Sequence, residues 1–223
     1  METTQENRWL GKTGLVLMII SSLAIGLYAF GFQARMVGAP EFHMKFDASP
    51  LAAAMHVIGG GTVLLVGGFQ FVGALRRSYP QLHRWFGRIY LSFVFIGGIG
   101  GLVLATTADG GLVAKVGFGM LAVLWLFSGW QALAAIRRGD VQTHKAWMAR
   151  NYAMAFGAVT LRIYLGMFTA LQIPFEEGYP VVAWLSWVPN LILVEWWMAL
   201  SSQTRAARKS ITATPIDTVS SAV

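Results

Sequence analysis

Six long apolar stretches separated by short polar ones account for most of the chain. They lie near residues 12–32, 51–75, 86–108, 113–136, 147–171 and 181–200. About 20 consecutive apolar residues in helical form are needed to cross roughly 30 Å of hydrocarbon. Each stretch therefore predicts a spanning helix, and the fold class is all-α: a polytopic membrane protein with six transmembrane helices. The first stretch follows a short polar N-terminus with Arg8 and Lys12. Its apolar part is longer than a signal peptide's, and no small-residue cleavage site follows, so it reads as a retained helix.

The polar segments between the spans are strongly sorted by charge. Arg8 and Lys12, then Arg76, Arg77, Arg84 and Arg88, then Arg137, Arg138, Lys145 and Arg150, then Arg205, Arg208 and Lys209 fall on one side. Arg35, Lys45 and Lys115 fall on the other, with Glu41, Asp47, Asp109, Glu176 and Glu177. Cationic loops stay in the cytoplasm, so both termini are expected there. One domain is expected over 1–200, followed by a basic, Ser-, Thr- and Ala-rich tail over 201–223 that is expected to be disordered.

Two of the basic loops are near-copies. FQFVGALRRSYPQLHRW begins at Phe69 and WQALAAIRRGDVQTHKAW at Trp130, and they run gap-free through His83 and His144 at a constant offset of 61. Helices 2–3 and helices 4–5, about 51–108 and 113–171, then form parallel repeats about an axis along the membrane normal. Glycines crowd the spans, as in Gly59-Gly60-Gly61, Gly67-Gly68, Gly97-Gly98 and Gly100-Gly101. Small residues let helix backbones approach closely in lipid, so a four-helix core of helices 2–5 is expected, with helices 1 and 6 around it. Trp184, Trp187, Trp196 and Trp197 near the ends of helix 6 read as interfacial anchors, placing that helix at the periphery.

Composition sharpens this picture. The chain has 223 residues, 56% hydrophobic and 12% charged, against about 25% charged in a soluble domain. The net charge of +7 would suggest nucleic acid in a soluble protein. Here it sits between apolar runs and marks topology and anionic lipid instead. With no cysteine, disulfides, thiolate ligands and iron–sulfur clusters are excluded. Walker loops, HExxH, nucleophile elbows and dinucleotide fingerprints are absent from the sequence.

The candidate chemistry lies on the two repeats. His83 and His144 each open a helix after a basic loop, at depths a pseudo-twofold would equalise. Two facing neutral imidazoles are what a bis-histidine haem b requires, with His83 and His144 as the iron ligands and Arg88 and Arg150 pairing propionates. The plainer alternative is a loop histidine bonded to backbone or lipid phosphate. Gln70, Gln131 and Glu195 each lie about five residues from the inner end of a helix, roughly 7 Å deep. They read either as a protonatable carboxylate beside an inner cavity or as a Gln70–Gln131 hydrogen bond with Glu195 reaching the interface. In the outer half, His56 lies roughly 7 Å deep and Arg162 and Asn190 roughly 13 Å. An arginine at that depth is a functional-site hypothesis by default. It would hold an anionic group of a haem or quinone-like ligand, with His56 as ligand or proton carrier and Tyr28 and Tyr164 lining the site. A structural role is the alternative: Pro189 frees the Leu185 carbonyl, which Arg162 would satisfy, or it would pair with Asn190. The outer-loop EFHMKFD, with Glu41, His43, Met44 and Asp47, offers mixed metal ligands at a spacing that matches no defined site.

The segments HRWFGRIY and HKAWMARNYAMAFGAVTLRIYL, with GGFQFVGALRR before the first, resemble a bacterial family of polytopic membrane proteins known only as a predicted membrane protein domain of unknown function. The resemblance rests on His83, Arg84, Gly87, Arg88, His144, Met148, Arg162 and Tyr164 and spans about 50–170. It implies a bacterial inner-membrane location and no activity. In layout the chain is also similar to the di-haem b-type cytochromes of the ascorbate- and ferric-reductase kind, which imply four histidines. Here the repeat partner of His56 is Gly117, so the resemblance implies at most one fully bis-histidine haem.

Three functions follow as expectations. The first is a transmembrane redox component that binds haem b or a quinone-type ligand among helices 2–5. The second is a proton-coupled small-molecule transporter using Glu195 and Arg162 as its working groups. The third is a non-catalytic assembly or sensor subunit that works through a partner protein.

Overall fold

A computed structural model describes residues 2–212, with side chains from residue 11 to residue 203. Ten α-helices follow in order: α1 (Glu2–Gln33), α2 (Pro40–Asp47), α3 (Pro50–Gly67), α4 (Gly73–Ser78), α5 (Pro80–Ala105), α6 (Gly111–Arg137), α7 (Val141–Ala155), α8 (Gly157–Ala170), α9 (Phe175–Leu185) and α10 (Val188–Thr212). No strand occurs among the described residues. Six helical stretches are long and apolar enough to cross a membrane: Gly11–Gln33, Pro50–Phe71, Pro80–Ala105, Gly111–Arg137, Val141–Ala170 and Phe175–Gln203. The last two are each built from two helices.

The central ring is α3, α5, α6 and α7, each packing on the next, with α3 closing onto α7. Helix α1 lies against α3, α9 against α6 and α8, and α10 against α7. This is the expected four-helix core with its two flanking spans. The core is filled by Val63 of α3, Tyr90, Leu91 and Val94 of α5, Trp125 of α6, and Tyr152 and Met154 of α7.

The tightest crossing is α3 on α5, and glycine makes it. A Cβ on Gly59 would lie 2.7 Å from the Gly97 Cα and 3.0 Å from the Phe93 carbonyl oxygen. These are backbone atoms, which cannot move aside as a side chain can, so the two helices close only on hydrogen. Such close approach is the main source of association energy where lipid tails are as apolar as leucine.

Four boundaries differ from the sequence expectation. Helices α5 and α7 begin at Pro80 and Val141, before the apolar runs at 86 and 147, because local capping rather than hydrophobicity starts them. Pro80 supplies the fixed φ at the first position of α5. Asp140 caps α7, its carboxylate accepting from the Thr143 N–H at 3.0 Å. Helix α3 stops at Gly67, continues as a 3₁₀ turn over Gly68–Phe71 and restarts as α4. Helix α10 runs on to Thr212, so the chain is helical past Ser201; the remainder of the tail lies outside the described residues.

The sixth span also differs. Trp187 is buried at 3% exposure in the core cluster, and Trp184 donates to the Val113 carbonyl at 3.1 Å. Only Trp196 and Trp197, both well exposed, fit interfacial anchors. The span breaks between Leu185 and Val188, where Pro189 lacks an N–H and crowds the carbonyl four residues back. Arg162 does not repair that break. The neighbouring Ser186 carbonyl accepts from Thr160 Oγ1 and from Asn190 Nδ2, so side chains of two spans meet beside the break.

The Asp140 cap carries a prediction. Its bond to Thr143 holds the carboxyl below the usual range. A depressed folded pKa means the cap stabilises above the unfolded value and is lost as pH falls through the folded one. Asp140→Ala should lower the protection of the Thr143 and His144 amides, read as exchange relative to the intrinsic rate at that pH, and acidifying the wild type should lower the same ratio. Equal exchange in both proteins at neutral pH would refute the cap's role.

Candidate functional site

The helix starts fix where the two repeat histidines stand. His83 is the fourth residue of α5 and His144 the fourth of α7. Both are half-buried, and they are close enough to interact electrostatically, along with Arg76 and Arg84. The Ala132 carbonyl accepts from His144 Nδ1 at 2.9 Å. That bond turns the ring toward the bundle and leaves Nε2 for another partner. Gln131 is the half-buried residue just before that carbonyl.

Gln70 completes this end. It is buried at 9% exposure, and its Nε2 has no hydrogen-bond partner. The expected Gln70–Gln131 bond is therefore not formed through this donor. Its Oε1 lies 3.9 Å from where a Cβ on Gly87 would stand. Gly87 is one helical turn from His83 on the same face of α5, so Gln70, His83 and the missing side chain of Gly87 share one surface. An unpaired buried amide costs about 1–3 kcal/mol, and a ligand oxygen would relieve it.

The cations at this end are already engaged to different degrees. Arg150 grips Glu195 with Nε and Nη2, the second contact at 2.9 Å, and lies 4.7 Å from the Trp147 ring. Arg88 lies 5.0 Å from the Trp85 ring. Glu195 is thus a clasp between α10 and α7. It is not in contact with Arg162, with which it was grouped as a working pair.

Two turns above the histidines the bundle is crossed by a polar layer. Tyr90 Oη donates to Asn151 Oδ1 at 2.7 Å, and Asn151 Nδ2 donates to the Trp125 carbonyl and to Ser128 Oγ, both at 2.8 Å. Tyr152 Oη shares a hydrogen bond with Ser22 of α1 at 2.8 Å. Tyr90 and Asn151 are 61 residues apart, the offset of the twin loops. Sequence reading missed these residues because the pairing of the copies was followed only as far as the histidines. Carrying the same register seven residues further reaches both partners.

The opposite half holds a second group. His56 places Nδ1 3.1 Å from the Gly97 carbonyl. Its ring packs where a Cβ on Gly101 would come within 2.8 Å of Nδ1. Arg162 donates from Nη1 to the Ala158 carbonyl at 2.9 Å and sits 4.9 Å from the Tyr28 ring, within electrostatic reach of His56. Asn190 is not part of this group: its amide is spent on Ala153, Thr160 and Ser186. Tyr164 is half-buried on α8.

Neither end gathers three or more metal-binding side chains among the described residues. EFHMKFD forms α2, where His43 stacks on Phe32 at 4.3 Å and meets the Val37 carbonyl. Asp47 pairs with Arg35, and Lys45 with Asp109. For haem, the His144 ring has the ligating orientation, since ligating imidazoles give their other N–H to a carbonyl or carboxylate. The space above does not suit the macrocycle. Between α5 and α7 it would meet the Tyr90–Asn151 bond about 10 Å up the helices and the packed Tyr90–Tyr152 core.

Residues 53–198 match the profile of a family described as Predicted membrane protein (DUF2306). The chain belongs to this family. The matched region contains every candidate named above except Tyr28 and Ser22 of α1, and the motif at the tip of α2. No curated protein and no solved structure matches the chain. What is established for it is therefore a multi-pass integral membrane protein whose family description assigns no activity.

Proposed function

We propose that this DUF2306 protein is a redox component of the bacterial cytoplasmic membrane, with both termini in the cytoplasm, that binds the head of a quinone-type molecule at its basic end. The observation that carries the reading is the buried, unpartnered Gln70 amide beside Gly87, on the face of α5 that also bears His83. A quinone head is flat, apolar at its faces and an acceptor at two carbonyl oxygens. Gln70 Nε2 supplies one donor and an imidazole N–H the other. Reduction to the quinol takes up two protons and two electrons. The histidines, at the mouth of the site beside Arg76 and Arg84, pass protons from water, and the electrons come from a redox partner protein. The Ala132 carbonyl, next to Gln131, positions His144; Arg150 clasps α7 to α10 through Glu195, and Arg88 packs on Trp85 beside the site.

A haem b ligated by His83 and His144 is the second reading. The Ala132-bonded orientation of the His144 ring favours it, and the Tyr90–Asn151 bond above opposes it. The experiment is a titration of the protein in nanodiscs with a short-chain ubiquinone and a short-chain menaquinone, read as tryptophan quenching. Saturable quenching is expected, weakened about 10-fold in Gln70→Leu, the equivalent of one buried hydrogen bond. No saturable quenching by either quinone would overturn the proposal. A Soret band lost in His144→Leu would replace it with haem.

A further inference from the structure

Arg162 lies deep inside a span, and its described contacts, the Ala158 carbonyl and the Tyr28 ring, include no carboxylate. The ion pairs among the described residues are Arg35–Asp47, Lys45–Asp109 and Arg150–Glu195. It lies roughly 12 Å from the end of α8 at 1.5 Å per residue, near the middle of a hydrocarbon layer about 30 Å thick. Its bond to Ala158, four residues earlier in the helix, turns the guanidinium away from the nearer membrane surface. A long basic side chain that merely tolerated the bilayer would reach for that surface. This one is held at depth.

The way it is held leaves a specific set of donors. The Tyr28 ring covers one face of the guanidinium, and Nη1 is engaged by Ala158. What remains is the edge formed by Nε–H and Nη2–H. The same chain shows what that edge binds: Arg150 uses those two nitrogens on the two oxygens of Glu195. His56 lines the same place as a neutral ring: its Nδ1–H donates to the Gly97 carbonyl and the close fit at Gly101 fixes it, so the donors for a ligand come from Arg162.

We propose that Arg162, His56 and Tyr28 form a second site, midway through the membrane, for a carboxylate monoanion. One guanidinium beside a neutral imidazole balances a single negative charge, whereas a phosphate dianion would leave a net charge buried, which is costly at this depth. The planar fork matches a carboxylate in bidentate fashion. Such a carboxylate has two sources, an amphiphile already in the bilayer or a small anion from water. Helices α1 and α8 touch only slightly, and Tyr28 and Leu27 are exposed at 38% and 64% on the α1 side, so the site opens laterally.

The test is equilibrium binding of radiolabelled laurate and radiolabelled butyrate to the full chain in nanodiscs, with empty nanodiscs subtracted and dodecanol as the neutral competitor. Saturable laurate binding that dodecanol does not displace supports a ligand drawn from the bilayer. Saturable binding of butyrate as well supports one that also enters from water. Arg162→Gln should weaken binding by about 10-fold or more, as loss of a charge-assisted pair requires. Arg162→Lys, which keeps the charge without the fork and guards against a folding failure, should weaken it less. The proposal falls if neither carboxylate binds saturably, if dodecanol displaces laurate fully, or if binding is unchanged in both variants.

Discussion

Asn151→Leu should cost the bundle roughly 2–5 kcal/mol, three hydrogen bonds at about 0.6–1.7 kcal/mol each in a membrane interior. Asn151 is fully buried and bonds Tyr90, Ser128 and the Trp125 carbonyl, thereby joining α5, α6 and α7 at one level. Leucine is of similar size and fits the apolar surroundings, so the loss is polar and not a matter of volume. It leaves the Tyr90 hydroxyl in hydrocarbon without its partner, while Ser128 Oγ keeps its bond to the Trp125 carbonyl. Tyr90→Phe removes only one of the bonds and should cost about 0.6–1.7 kcal/mol. Reversible unfolding by sodium dodecyl sulfate in mixed micelles measures both. Equal losses for the two variants would mean that the layer does not act through Asn151.

The second large effect is expected at the α3–α5 crossing. Gly59→Leu drives a side chain into the backbone of Gly97, where even the first carbon would stand 2.7 Å from Cα. Overpacking that a flexible neighbour can absorb costs about 1–3 kcal/mol; backbone against backbone should exceed the upper end and separate the helices. The adjacent residue is the control. A Cβ on Gly60 meets nothing within 4 Å, so Gly60→Leu should change stability by less than about 0.5 kcal/mol, as surface changes do. Similar losses at Gly59 and Gly60 would show that helix propensity, not the crossing, governs this region.

These two sites show what could be read from the chain and what could not. The spans and their order follow from hydropathy, because a bilayer imposes one length and one polarity on every crossing. The glycine-rich crossing was legible as a class, since runs such as Gly59-Gly60-Gly61 have few other uses in lipid. Which glycine faces the partner helix depends on rotation about α3, and apolar residues on every side of that helix carry no phase. The starts of α5 and α7 were missed by six residues each because Pro80 and Asp140, not apolar runs, set them.

The candidate site was legible in part. The twin loops pointed to His83 and His144, and the structure places both at one end of the ring within each other's field. Gln70 was singled out, but not its unpaired amide, since that depends on the 3₁₀ turn after α3. Arg162 was recognised by depth alone. Tyr28 was named beside it, and the ring does lie 4.9 Å away; the bond back to the Ala158 carbonyl depends on which way the side chain turns, and hydropathy says nothing about that. Glu195 was read either as a protonatable carboxylate beside a cavity or as reaching the interface; its pairing with Arg150, on another helix 45 positions away, had no sequence signal.

The Trp–Arg couples at the basic end, Trp85 with Arg88 and Trp147 with Arg150, have a mechanical consequence. Each stands near the sixth residue of its helix, and indole with guanidinium is the pairing that settles at the boundary between headgroups and tails. Together they act as a waterline, fixing how deep that side of the protein floats. A thinner or thicker bilayer then cannot be met by sliding the whole body. The mismatch falls on the far rim, where α2 lies between α1 and α3 and is tied to its surroundings through Arg35–Asp47 and Lys45–Asp109.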